Sequence, residues 1–173
     1  MKCTDHLMQE HKVILRALNV LEQMGACVEK HEAIDTADVE ALLRFLRRFA
    51  DDHHQAMEES ALFPELRRTS AEQNAAVRQM LFEHDQERSL VCAIEEALYT
   101  RKGSEFMHFA NAYVSLIRSH IKKEDDILFE IAGRCLSAEQ DQKVVDEFEK
   151  FQIHPNDLAE LHRLEWKYLR KAA

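Results

Sequence analysis

The chain is poor in the residues that make tight turns, with three glycines and two prolines in 173 residues. An all-β fold needs a turn after every strand, so this scarcity excludes one and points to long helices with few connections. No stretch approaches the roughly eighteen consecutive apolar residues of a membrane span. Basic blocks are missing too. The formal net charge is −9, and Arg47-Arg48 and Lys122-Lys123 are short pairs suited to solvated helix faces. That argues against nucleic acid and anionic membranes as partners. The N-terminal segment MKCTDHLMQEH has no apolar run before Asp5 and His6, so it does not read as a secretory signal. The four cysteines (Cys3, Cys27, Cys92, Cys135) are scattered, with no CxxC or other ligand spacing. Free thiols in a reducing, cytoplasmic setting are expected.

What the chain does have is helical periodicity and histidine. Ten His stand against nine Phe. Four long segments place apolar residues at spacings of three and four. The first carries Leu7, Met8, His11, Ile14, Leu15, Leu18 and Leu21. The second, after Asp35-Thr36, carries Val39, Leu42, Leu43, Leu46, Ala50, His54, Glu58, Ala61 and Leu62. The third opens on a capping-box pattern, Ser70 with Gln73, and carries Val77, Met80, Leu81, His84, Arg88, Val91, Ile94 and Leu98. The fourth follows Gly103 and carries Phe109, Tyr113, Leu116, Ile117, His120, Glu124, Leu128 and Ile131, ending near Gly133. A second capping box, Ser137 with Gln140, opens a shorter helix, and His154-Pro155-Asn156 separates it from a last one. The expected fold is all-α. An antiparallel up-down four-helix bundle occupies residues 1–134, and two additional C-terminal helices over 135–173 pack outside it.

The segments repeat in pairs. His54-x-x-x-Glu58-x-x-x-Leu62-Phe63 recurs 66 residues later as His120-x-x-x-Glu124-x-x-x-Leu128-Phe129, and Glu10-His11 recurs as Glu83-His84. The chain reads as two copies of one helical hairpin, each bringing a lone His and then an HxxxE pair. Polar side chains on an apolar stripe are costly unless something satisfies them. A single such His is usually a hydrogen-bonded core residue, and a single HxxxE pair is common on helix surfaces. Two matched pairs plus one His on each remaining stripe call for more. A residue and its i+4 neighbour share a helix face about 6 Å apart. Four helices would therefore aim His11, His54, His84 and His120 with Glu58 and Glu124 at one interior volume. Two metal ions satisfy such a set, carboxylates bridging and imidazoles terminal.

Of the remaining polar residues, His53 and Glu59 are expected to support the centre rather than ligate. His6, His31, His108, His154 and His162 are expected at the surface or in packing, Tyr113 in the core near the centre, and Asp125 and Asp126 in solvent.

Asp5-His6-Leu7 through Glu10-His11, HHQAMEESALFPEL (53–66), EHDQER (83–88) and HIKKEDDILF (120–129) together resemble the hemerythrin-like, or HHE cation-binding, domains. The resemblance spans about residues 4 to 133. It implies a four-helix bundle around two oxo- or hydroxo-bridged irons, with Glu58 and Glu124 bridging. His11 and His54 would hold one iron, and His84 and His120 the other. Manganese and zinc are the alternatives, but six ligands with bridging carboxylates suit octahedral iron or manganese better than tetrahedral zinc. Oxygen-carrying hemerythrins place a further His one turn after the third-helix His. Here that position is Arg88, which leaves both irons an open position and makes O₂ storage less fitting than reaction or sensing.

The expected function is binding or sensing of O₂, NO or iron and redox state, with the C-terminal helices offered to a protein partner. The competing reading is an enzyme acting on peroxide or NO, or an iron donor in repair of damaged iron centres. Repair proteins of this kind usually add a small domain with a cysteine pair, which this sequence does not show.

Overall fold

Six helices and no strand make up the regular structure of residues 2–68 and 71–170, which are the residues described in the computed structural model, 71–73 by their backbone alone. Helix α1 is Cys3–Glu29. Helix α2 runs unbroken over 36–67, as Thr36–Phe45, π-helical Leu46–Gln55, a π turn at Glu58–Leu62, and Phe63–Arg67. Helix α3 is Ala71–Tyr99. Helix α4 spans 103–135, with a π turn at Glu124–Leu128 between Gly103–Lys123 and Phe129–Cys135. Ala138–Phe148 and Asp157–Leu169 form α5 and α6. The Ser70 capping box lies outside the described residues. Among them, no helix is long and apolar enough to cross a membrane.

The helix ends follow from local chemistry. Asp35 caps α2 by accepting from the Ala37 amide at 2.9 Å. Ser137 and Gln140 exchange hydrogen bonds at the start of α5, as their spacing predicts. Helices α1 and α3 end alike, each in a non-glycine residue with left-handed backbone, His31 (φ 58°) and Arg101 (φ 56°). Each end closes with a 6→1 bond, Glu32 N to Cys27 O at 2.8 Å and Lys102 N to Ala97 O at 3.0 Å. Short turns then send α2 back along α1 and α4 back along α3. The α1–α2 and α3–α4 hairpins pack together, with α4 against both α1 and α3.

Two apolar clusters form the core. The larger contains Leu18, Leu21, Leu42, Phe45, Phe49, Ile94 and Ile117, and α6 adds Leu161, Leu164 and Tyr168 to it. The smaller contains Cys3, Leu7, Met57, Leu62, Phe63, Val77 and Phe129, and α5 adds Val144 and Phe148. Ion pairs fix α6 to the bundle: Arg16 forks onto Glu165 with both bonds at 2.7 Å, while buried Asp38 takes Arg163 at 2.8 Å and Lys167. The six polar stripe residues lie where one apolar cluster gives way to the other.

Candidate metal centre

The structure brings all six sequence-predicted residues together, each of them buried. His11, His54, Glu58 and Glu124 form one group, and Glu58, His84, His120 and Glu124 a second; in each, the ligating atoms lie within 4.8 Å of one another. The two carboxylates belong to both groups. Glu124 Oε2 is 3.3 Å from both His11 Nε2 and His120 Nε2. Glu58 lies 3.7 Å from His54 Nε2 and 3.6 Å from His84 Nε2. Each carboxylate thus faces one imidazole from each hairpin.

Both carboxylates begin π turns, at residues 58 and 124, which are related by the same 66-residue shift as the sequence motif. Pro64 follows only the first turn, so a missing proline N–H is not what the two share. The shared context is HxxxE followed by Leu-Phe. A π turn winds less per residue than an α-helix, so the residue after each glutamate stays near the inner face.

That geometry supplies a hydrogen-bonded ring of carboxylates around the imidazoles. Glu10 accepts from His54 Nδ1 at 2.8 Å and Glu83 from His120 Nδ1 at 2.9 Å, each within its own hairpin. Glu59 accepts from His84 Nδ1 at 2.8 Å and Asp125 from His11 Nδ1 at 2.7 Å, each across to the other hairpin. With Nδ1 carrying the proton, every Nε2 presents its lone pair inward, the form a metal ligand requires. Asp125 therefore departs from the solvent-exposed position expected of it, whereas Asp126 is exposed. The signal in the sequence was the duplication of Glu-His and of Glu-Glu/Glu-Asp, one pair in each hairpin.

The electrostatics show a set of groups built around missing positive charge. Among the described residues, neither oxygen of Glu58 or Glu124 receives a hydrogen bond, and His11 Nε2 has none. Burial, and then the charge of Glu124, push the Glu58 carboxyl well up. Burial would raise Glu124 as well, but His120 and His11 outweigh it and hold that carboxyl well down. The two carboxyls are thus pushed apart, Glu58 toward its neutral form and Glu124 toward its charged form. Burial pushes His54 down to about 4. For Glu10 and Glu83, burial is outweighed by hydrogen bonds, chiefly from His53 and His54 in the first case and His120 in the second, and both carboxyls fall to about 2. Nitrogen and oxygen ligands about 2.1 Å from a common ion stand roughly 3 Å apart. The residues fit a pair of metal ions.

Two further residues were placed by the structure and not by the sequence. Glu87, one turn after His84, is buried and lies 3.8 Å from His120 Nδ1. Gln55 donates to Glu87. Burial pushes Glu87 up to about 7. With buried Tyr113 these two line a cleft of about 230 Å³ that opens beside Arg88. Arg88 itself spends its donors on Asp51 at 2.8 Å, Glu59 at 2.7 Å and Asp85 at 3.2 Å. It braces Glu59, and thereby His84, from outside. His31, His108, His154 and His162 are exposed, as expected; His53 is buried and donates to Glu10, and His6 joins it there.

Comparison with known proteins gives one match. The family model of the hemerythrin HHE cation binding domain matches residues 3–132. Neither the curated proteins nor the solved structures searched contain a match. The matched region covers most of the chain and includes all six inward-facing residues, so this chain belongs to the hemerythrin HHE cation-binding family.

Proposed function

We propose that the chain holds two irons between Glu58 and Glu124, with His11 and His54 on one and His84 and His120 on the other. Through this centre it binds or senses O₂, NO or iron and redox state. The observation that carries the reading is the pair of fully buried carboxylates whose four oxygens lack hydrogen bonds and face imidazole Nε2 atoms from both hairpins. Iron, when bound, supplies one-electron chemistry and exchangeable coordination positions. The protein supplies the rest. Glu10, Glu83, Glu59 and Asp125 hold the imidazoles in the inward-facing tautomer, and the two apolar clusters limit water on either side. No imidazole follows His84, and Arg88 points away toward acidic partners, so neither metal is closed off by an extra ligand.

A second reading, an enzyme acting on peroxide or NO, is favoured by the cleft at Arg88. Its inner wall is Gln55, Glu87 and Tyr113, and Glu87 lies 3.8 Å from His120 Nδ1. Metal analysis together with the aerobic absorption spectrum tests the centre. Two irons per chain and near-ultraviolet absorption are expected; one ion, or a colourless zinc site, overturns the di-iron reading. Sustained peroxide consumption by the iron-loaded chain would move the assignment from sensor to enzyme.

A further inference from the structure

The two hairpins give their outer glutamates different company. Glu83 Oε1 accepts from Gln79 Nε2 at 2.7 Å and lies against the Lys123 ammonium, so a fixed cation balances it. Under the hairpin repeat, positions 79, 119 and 123 correspond to 6, 53 and 57, which hold His, His and Met instead of Gln, Ser and Lys. Glu10 Oε1 is approached by His53 Nε2 at 2.7 Å and by His6 Nε2 at 3.3 Å. Among the described residues no lysine or arginine pairs with Glu10. Two imidazoles converge on one carboxylate oxygen where the other hairpin has a charged amine.

The three ligating atoms lie within 4.8 Å of one another, and the two measured separations bracket the roughly 3 Å expected around a common transition-metal ion. Glu10 and His53 are buried, and His6 is half-exposed on a cleft of about 580 Å³ between the bundle and α5. The ring of Phe148 packs on His6 at 5.7 Å, and that of Phe49 on His53 at 5.7 Å. Among the described residues His53 Nδ1 has no hydrogen-bond partner, and the ring engages Glu10 through Nε2.

We propose that His6, Glu10 and His53 form a third cation site: mononuclear, open to solvent, and taking a divalent transition metal of the zinc or ferrous class. Two imidazoles and one carboxylate leave positions for water and suit such ions better than calcium or magnesium. Glu10 ties the site to the buried centre, one oxygen facing the outer cation and the other holding His54 Nδ1. A cation there stands one carboxylate away from an inner ligand.

The test uses the full chain, loaded with iron, freed of loose metal and titrated with Co²⁺, with bound metals counted and visible cobalt absorption followed. One cobalt per chain is expected beyond the iron. His6→Gln and His53→Ser copy the residues of the other hairpin, and each should weaken cobalt at least about tenfold, with the iron count unchanged in His6→Gln. The outer site and the inner centre fail separately. Cobalt that depends on His6 in a chain with an unexpected iron count would refute only the di-iron reading. Saturation without a cobalt equivalent, or cobalt indifferent to both substitutions, overturns the third site.

Discussion

The α1–α2 and α3–α4 hairpins carry the same inward-facing groups in the same order, yet their outer surroundings differ. The lone His, the HxxxE pair, the π turn at each inward-facing glutamate and the acceptors for all four Nδ1 atoms occur in both. Beyond that ring the correspondence stops. Gln55 and Glu87, at the wall of the Arg88 cleft, correspond to Ile121 and Ile14, which are buried in the larger apolar cluster. The long π-helical stretch Leu46–Gln55 has no counterpart in α4, which is α-helical over the matching residues. The groups around the centre recur in both halves, whereas the cleft and the outer charge differ between them. The comparison separates residues shared by the two hairpins from residues that serve one side.

The largest effect should come from breaking what the halves share. Glu58→Ala and Glu124→Ala each remove a carboxylate facing imidazoles of both hairpins, so each should release both ions. Each should also lower the melting temperature toward that of the chelated protein, by about 10 °C if the ions bind tightly. Metal counting and calorimetry check this, and unequal losses would show that the two carboxylates are not equivalent.

The second effect concerns what the halves do not share. In chelated protein the Glu87 carboxyl titrates near 7, against an ordinary 4.5, because burial disfavours its charge. The folded state therefore holds this proton more tightly than the unfolded chain. Its contribution is intact below pH 4.5 and lost as pH rises through about 7. Above that the cost is on the order of 3 kcal/mol. Glu87→Gln should match the parent in acid and exceed its stability by about that amount at pH 8, as measured by urea unfolding. Equal stability at pH 8 would mean that the cleft hydrates Glu87 well enough to cancel the cost of burial.

The smallest effect returns to a shared feature. His31→Gly and Arg101→Gly each replace a side chain held in left-handed backbone at a helix end. Each should stabilise the protein by about 0.5–1 kcal/mol, and by similar amounts, because the two ends are built alike. Thermal unfolding of the two variants would show whether the correspondence extends to the turns.

The six central residues were legible because the two motifs recur at fixed offsets, and recurrence turns a common pattern into an uncommon one. The hydrogen-bonding ring was harder to see. Asp125 follows Glu124 directly, and on a regular α-helix it would turn toward solvent; the π turn keeps it within reach of His11. Glu87 was missed for the opposite reason. Its counterpart is Ile14, so nothing in the repeat marks it out. Gln55 and Glu87 meet only because α2 packs on α3, and no spacing within either helix announces that contact.

The crossed hydrogen bonds have a consequence for how such a protein can be assembled. Glu59 of the first hairpin orients His84 of the second, and Asp125 of the second orients His11 of the first. A single hairpin is thus a half-site. It has half of the inward-facing residues, and nothing from its own chain to fix the tautomer of its lone imidazole. Two identical copies related by a twofold axis would supply each other with what is missing. A gene encoding one hairpin would have specified an obligate metal-binding dimer, and fusing two copies would make the exchange internal, leaving each copy free to acquire its own outer face.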